Sequence, residues 1–488
     1  MDILPEAMLT IDGKVRRAAG DRTYDIIGPW TGEPVGKAAD ASASDVEEAI
    51  VAARRAFDTT DWSNNHAKRL ELVKRLHELL VANRDRLVDL ARHEVGASLG
   101  SVRRAQVDMA LAGYQELINL FPQVTWEQDF GDSGPPHYRS HRVVAHEPIG
   151  VVGAITPWNG PLYVNVGKVP AALLAGCTVI LKPAPDTPGM GAIFGELAAE
   201  VGFPAGVLNV ITGADPAMAG EMLTTDPRVD LITFTGSTAI GRRIMERGAP
   251  TLKRVFLELG GKSAKIVLED TPNFAEEVGG AMVVSHAGQG CAIMSRLLVP
   301  RSRYAEAVEV LRQAYAAFGD NWGDFDAEDQ VMGPLANAKQ LERVKAYVDL
   351  GVQEGATLLA GGKLRPDKGS GYFIEPTCFV DVTNDMRIAQ EEIFGPVLVV
   401  IPFEDEEDAI RIANDSEYGL SGGVVSGDFD RALRVARRIR TGTIMVNGGL
   451  CIAPDVPFGG YKASGIGREW GVAGIEEFLE TKVLAWRV

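Results

Sequence analysis

Between residues 151 and 257 five short apolar runs alternate with four helical stretches, and few architectures can absorb that pattern. The runs lie at 151–155, 178–181, 207–211, 231–234 and 254–257. Unbroken apolarity, rather than alternation, marks strands covered on both faces. The segments near 161–175, 188–201, 215–225 and 237–247 carry helical periodicity, and Gly176 is placed to stop the first. Strands joined by helical crossovers run parallel. The pattern therefore predicts an α/β fold built on a doubly wound parallel sheet, which binds ligands at the carboxyl ends of its strands.

Helical patterns precede this region. Ser44 and Glu47 have capping-box spacing ahead of a helix over 44–57. Two amphipathic helices are expected over 66–95 and about 99–121, the first with an apolar stripe through Leu72, Val73, Leu76, Leu79 and Leu80. A second αβ series follows from about 264 to 447, with strands expected at 265–268, 297–299, 397–401 and 443–446. The segment 128–147 is polar, contains Pro135 and Pro136, and breaks the pattern, while the tail 481–488 alternates like a strand. Isolated strands are poor structures alone, so the two are expected to pair in an arm used for self-association.

With 66 acidic against 49 basic residues the net charge is −17, which disfavours a nucleic-acid partner without excluding a small nucleotide pocket. No run of about 18 apolar residues is present, and Met1–Gly20 lacks the apolar stretch of a secretory leader, so neither membrane nor export is expected. Cys177, Cys291, Cys378 and Cys451 form no CxxC or CxxH pair, which fits free thiols in the cytoplasm and no metal site.

Several residues could carry chemistry. Cys291 ends the segment His-Ala-Gly-Gln-Gly-Cys, where glycines permit close backbone approach; it reads either as a small buried hydrophobe or as a nucleophile. Glu258, at the end of an apolar run and before Gly260 and Gly261, reads as a salt-bridged strand end or a general base. Asn159, in Thr-Pro-Trp-Asn-Gly-Pro at 156–161, is a turn residue or an oxyanion donor. Gly236 and Ser237 follow a strand and open a helix, a weak pyrophosphate signal that is not a GxGxxG fingerprint. Lys182 ends another strand, and Glu391–Glu392 precedes a third.

Taken in order, the segments 156–161, 181–183, 234–237, 258–262, 288–291, 392–396 and 457–469 resemble the aldehyde dehydrogenase superfamily over nearly the whole chain. The resemblance implies that fold: a Rossmann-like cofactor domain (1–127 and 148–256), an α/β catalytic domain (257–447) and a small β oligomerisation arm (128–147 and 470–488) in a homodimer or homotetramer. It implies oxidation of an aldehyde to the acid with reduction of NAD, or of NADP. Cys291 would be the nucleophile, Asn159 the oxyanion donor and Glu258 the base that activates water, with Lys168 and Glu469 assisting proton relay. Lys182 would meet the adenosine ribose, Ser237 the pyrophosphate, Glu392 and Phe394 the nicotinamide ribose and ring. Ile155, Trp158, Pro185, Gly236 and Gly260 would complete the cofactor contacts.

Two departures from the family pattern matter. Where NAD-specific members carry glutamate three residues after the lysine, this chain has Pro185 followed by Asp186, so NAD is favoured with NADP allowed. Gly160 and Gly167 stand where many members place bulky aromatics. Together with Tyr163, Val164 and Phe458 they suggest a wide apolar tunnel for aromatic or long-chain aldehydes. Glu258 argues against a CoA-acylating enzyme. A cofactor-free cysteine esterase and a non-catalytic scaffold are the remaining alternatives.

Overall fold

A computed structural model describes residues 3–488. Its centre is the expected sheet, with five parallel strands in the order Arg254–Glu258, Leu231–Thr235, Val151–Ile155, Thr178–Lys182, Leu208–Val210. The chain enters at Val151–Ile155, winds out to Leu208–Val210, then returns to lay Leu231–Thr235 on the other side. The switch point therefore opens between Val151–Ile155 and Leu231–Thr235. The residues of the three inner strands are all buried, as their unbroken apolarity requires. The crossover helices are Pro161–Ala175, Pro188–Val201 and Pro216–Thr225, and Thr238–Gly248 leads to the last strand. Gly176, at φ 100°, closes the first in the left-handed conformation.

Antiparallel strands extend this sheet at both ends: the hairpin Leu9–Ile11 and Lys14–Arg16 on one side, Gly465–Ile466 on the other. Pieces of two or three residues leave no periodicity to read. The first long helix runs Ala43–Thr59, but its cap is Ser42, not Ser44. Ser42 Oγ accepts from the Asp45 N–H at 3.3 Å and the Asp45 carboxylate accepts from the Ser42 N–H at 2.8 Å. Asp45 also accepts from Arg16 and the Ala19 N–H, so tertiary contacts decide between two local alternatives. The expected 66–95 helix is two, His66–Ala82 and Arg84–Glu94, broken at Asn83, whose side chain donates to the Leu79 carbonyl. Between Leu99–Ser101 and Met109–Leu120 the chain makes a π-helical turn, Val102–Asp108.

The second sheet has the order Thr357–Ala360, Thr377–Val380, Val397–Phe403, Arg296–Pro300, Ala264–Val267, Gly422–Val425, Met445–Val446. It is parallel except for Thr357–Ala360. Three of its strands were not expected, among them Gly422–Val425, whose paired glycines hide its β character.

The polar segment near 128–147 is itself a hairpin, Glu127–Ser133 and Ser140–Pro148, and the terminal strand Leu479–Arg487 pairs with its second arm from Leu479↔Pro148 to Arg487↔Ser140. Just before that strand, Trp470, Ile475 and Phe478 are buried in the core beneath the first sheet's helices. Among the described residues no helix is long and apolar enough to cross a membrane.

Candidate active site

The carboxyl ends of the first sheet's strands and two loops of the second sheet meet at one cavity of about 950 Å³. The strand Val151–Ile155 delivers Trp158 and Asn159, Leu231–Thr235 delivers Gly236 and Ser237, and Arg254–Glu258 delivers Glu258 and Gly260. The loop before Arg296–Pro300 carries Cys291, and the loop before Val397–Phe403 carries Glu392 and Phe394. Glu469 also reaches the wall. Most of the expected residues are thereby brought together.

The loop that presents Cys291 is strained and anchored. His286, Ala287 and Gly288 take left-handed φ angles of 48°, 49° and 73° in succession. A Cβ on Gly288 would fall 2.0 Å from the Gly395 carbonyl oxygen, so only glycine fits. Gln289, fully buried, fixes the next step: its Oε1 accepts from the Ala336 N–H at 2.9 Å and its Nε2 donates to the His286 carbonyl at 3.2 Å. Its main-chain oxygen accepts from Asn159 Nδ2 at 2.9 Å. One amide hydrogen of Asn159 is thus committed to the nucleophile loop and the second is left for a ligand. Gly260 and Gly261 are explained by the same crowding: a Cβ on either would stand 2.5 Å from the Glu392 carboxylate or the Cys291 carbonyl respectively.

Charge around the thiol is mostly negative. Burial first, then the carboxylates of Glu258 and Glu392, push the Cys291 thiol up. Glu258 is 2% exposed, its Oε1 has no partner, and burial followed by Glu469 holds its carboxyl well above the usual range, with Lys168 opposing. Lys168 lies behind the wall, fully buried, bonded to Glu469 Oε1 at 2.5 Å and Thr233 Oγ1 at 2.9 Å, with its ammonium 4.7 Å from the centre of the Phe256 ring.

The other half of the cavity suits a dinucleotide. Trp158 and Phe394 meet edge to face at 5.5 Å, and Phe394 holds a φ of 62°. Glu392 Oε1 accepts from the Gly261 N–H at 2.9 Å. Ser237 caps the helix Thr238–Gly248, leaving a helix N-terminus open to an anion. Lys182 is buried, and its Nζ reaches only the Pro183 carbonyl, at 3.4 Å. Burial lowers its ammonium to about 8 although Asp215 and Asp186 pull it back. A buried cation with one long bond, an acceptor carboxylate, an aromatic slot and a helix N-terminus fit a nicotinamide dinucleotide. Ile155, Lys182 and Pro185 are not on the cavity wall. Asp186 accepts from Asn337 Nδ2 at 2.8 Å.

Gly160, Tyr163, Val164 and Phe458 line the substrate side as expected, but Gly167 does not. A Cβ there would meet the Trp470 ring and Glu469 at 3.4 Å, so a side chain from the far end of the sequence fills the space the missing aromatic would have left. Sequence reasoning missed Met109, Met282, Met294, Met445 and Ile452, which also line the cavity. A methionine reads as core filling. It also missed the anchoring role of Gln289, whose only signal was its place beside the nucleophile. Among the described residues all four cysteines are unpaired, and no cluster of His, Cys, Asp or Glu is arranged to hold a metal.

Comparison with known proteins identifies the family. The profile of the aldehyde dehydrogenase family matches residues 16–484. A 3-succinoylsemialdehyde-pyridine dehydrogenase of a Pseudomonas species is 42% identical over 478 residues, 97% of either chain. The crystal structure of an NAD-dependent aldehyde dehydrogenase from Sinorhizobium meliloti superposes with a TM-score of 0.94 at 37% identity, covering 99% of this chain and 95% of that one. A mutant aldehyde dehydrogenase C from Pseudomonas syringae, complexed with NAD+ and octanal, superposes with a TM-score of 0.90 at 37% identity, covering 98% and 96%.

Proposed function

The chain belongs to the aldehyde dehydrogenase family, and from that premise we propose that it oxidises an aldehyde with an aromatic or long-chain apolar body to the carboxylate, with NAD, and secondarily NADP, as acceptor. The observation that carries this reading is the convergence of the Asn159 amide and the orphaned Glu258 carboxyl on the cavity that holds Cys291.

Cys291 Sγ, once deprotonated, adds to the carbonyl carbon, since the thiolate is the attacking form. The charge that develops on the carbonyl oxygen falls to the free Asn159 amide hydrogen, a kind of donor whose loss typically costs about 10²–10³ in rate. When bound, the dinucleotide supplies the two-electron acceptor that turns the thiohemiacetal into a thioester. Glu392, Phe394, Trp158, Ser237 and Lys182 would hold it. Glu258 then takes a proton from water as the water oxygen attacks the thioester carbon, the C–S bond breaks, and the carboxylate leaves. Lys168 and Glu469, bonded to one another behind Glu258, offer that proton a way out of a buried site.

The apolar substrate side, with Tyr163, Val164, Ile452, Phe458 and several methionines, supports an apolar aldehyde. Two relatives fit this reading, one named for a pyridine semialdehyde and one crystallised with octanal. Pro185 neither donates nor carries charge, so the glutamate of NAD-specific members is absent, which supports tolerance of NADP, while the Asp215 and Asp186 charges near Lys182 keep NAD the favoured acceptor. We assign 1–127 and 148–256 to cofactor binding, 257–447 to catalysis, and 128–147 with 470–488 to self-association as a dimer or tetramer, the edge strand Leu479–Arg487 exposing Val483, Leu484 and Trp486. Four unpaired cysteines suit the cytoplasm.

The test is reduction of NAD and NADP followed at 340 nm with benzaldehyde, octanal and acetaldehyde, alongside Cys291→Ser. Turnover that disappears in the variant, with kcat/KM highest for benzaldehyde or octanal, is expected. Preference for acetaldehyde would overturn the substrate class, and ester hydrolysis without any cofactor reduction would overturn the reaction.

A further inference from the structure

We propose that Gln106 is a positioning residue for the oxyanion donor, acting through the main chain of Asn159. The inference rests on the role just given to Asn159. Gln106 lies in the π-helical turn Val102–Asp108, is 7% exposed, and donates from Nε2 to the Asn159 carbonyl oxygen at 3.0 Å. Its Oε1 is buried with no partner. The orientation of the amide is therefore set by one contact: turned over, it would press oxygen against the Asn159 carbonyl oxygen.

Stability alone does not ask for glutamine here. The turn is embedded in the core through Val102 and Val107, and an unpaired buried amide oxygen is destabilising. Leucine would fill similar space without that cost. What glutamine adds is a second tether on Asn159. The side chain of Asn159 is tied to the Gln289 carbonyl at 2.9 Å, and its main chain is tied to Gln106 at 3.0 Å. Between them the residue is fixed at both ends, in a segment bounded by Pro157 and Pro161. A π-turn shifts the helical register by a residue, and such turns recur at functional sites. Here the register places Gln106 toward the Asn159 loop while Met109, at the start of the following helix, lines the cavity.

A misplacement of about 1 Å at a reacting centre can cost on the order of 10² in rate. Freeing one tether should cost less than deleting the donor, roughly tenfold or more against about 10²–10³. The experiment is a double-mutant cycle on kcat/KM for the aldehyde, with Gln106→Leu and the similarly sized Gln106→Met made in the wild type and in Asn159→Ala. In the wild-type background each variant should lose about tenfold or more in kcat, with the KM for NAD and the melting temperature little changed. In Asn159→Ala the same substitutions should cost less than about twofold, because the group they aim is gone. If Gln106→Leu does not fold, Gln106→Met carries the cycle, since its flexible side chain keeps a similar volume and removes the donor without burying a charge. Equal losses in both backgrounds would mean a structural role and overturn the proposal, as would full activity of both variants in the wild type. A wild-type protein that reduces no cofactor would overturn the reading of the site, and this inference with it.

Discussion

Glu469→Gln and Lys168→Met should each be strongly destabilising, while the double variant should recover most of the loss. The two groups form a pair whose side chains are 4% and 0% exposed, at 2.5 Å. With Glu469 neutral, the Lys168 ammonium loses its bonded carboxylate and is left with neutral contacts, among them the Thr233 hydroxyl and the Phe256 face. Breaking a buried pair by removing one partner costs about 3–5 kcal/mol, whereas replacing both with neutral groups of similar volume is close to neutral. For a cooperative unit of 150–250 residues the single variants should lose about 6 °C or more in melting temperature. Scanning calorimetry on the cofactor-free protein reads this directly. The pair also acts on Glu258, and there the two variants have opposite signs. Lys168 lowers the Glu258 carboxyl and Glu469 raises it. A base works once deprotonated, so activity appears as pH rises through its pKa. Lys168→Met should move that limb to higher pH, and Glu469→Gln to lower pH. Single-variant losses below about 1 kcal/mol, double-variant losses equal to the sum of the singles, or shifts of the limb in the same direction would refute the reasoning.

Glu258→Gln should retain the first half-reaction and lose the second, seen in stopped flow as a burst of reduced cofactor near one equivalent per active site followed by a slow steady state; steady turnover without a burst would assign the water to another base. Because burial and neighbouring carboxylates hold both Glu258 and the Cys291 thiol up, wild-type activity should climb with pH from neutrality into the alkaline range, and a flat profile from pH 6 to 9 would contradict that placement. Gly288→Ala should abolish activity and lower the melting temperature, since the new Cβ lies 2.0 Å from a carbonyl oxygen at a left-handed φ; activity above a tenth of wild type would show that the loop can relax. Met445→Ala, which widens the substrate side, should raise kcat/KM for a bulky aryl aldehyde relative to octanal, and an unchanged ratio would remove that residue from specificity.

The parts of this molecule that could be read in advance share a physical cause. The inner parallel strands are buried on both faces, so they must be largely apolar, and the residues at the carboxyl ends of the sheet must converge whatever the helices between them do. That is why Asn159, Ser237 and Glu258 could be placed near a ligand before their contacts were known, and why resemblance could add Cys291 and Glu392 by order along the chain. The Ser42 cap was hidden for the opposite reason. Ser44 with Glu47 is as good a local pattern, and the choice is made by Arg16 and the Ala19 N–H, which reach Asp45 from outside the helix. The substrate side shows the same limit more sharply. Gly167 looked like open space because the family's aromatic is missing there, yet Trp470 occupies it from 303 residues away in sequence, and the same ring lies 2.9 Å from where a Cβ on Gly113 would be. A glycine in a sequence states only that no side chain starts at that point; whether the volume is empty depends on what another segment brings to it. The width of a tunnel is therefore a property of pairs of residues, whereas the place of a residue at a strand's carboxyl end belongs to one, and this difference explains why the position of the cavity could be read further than its shape.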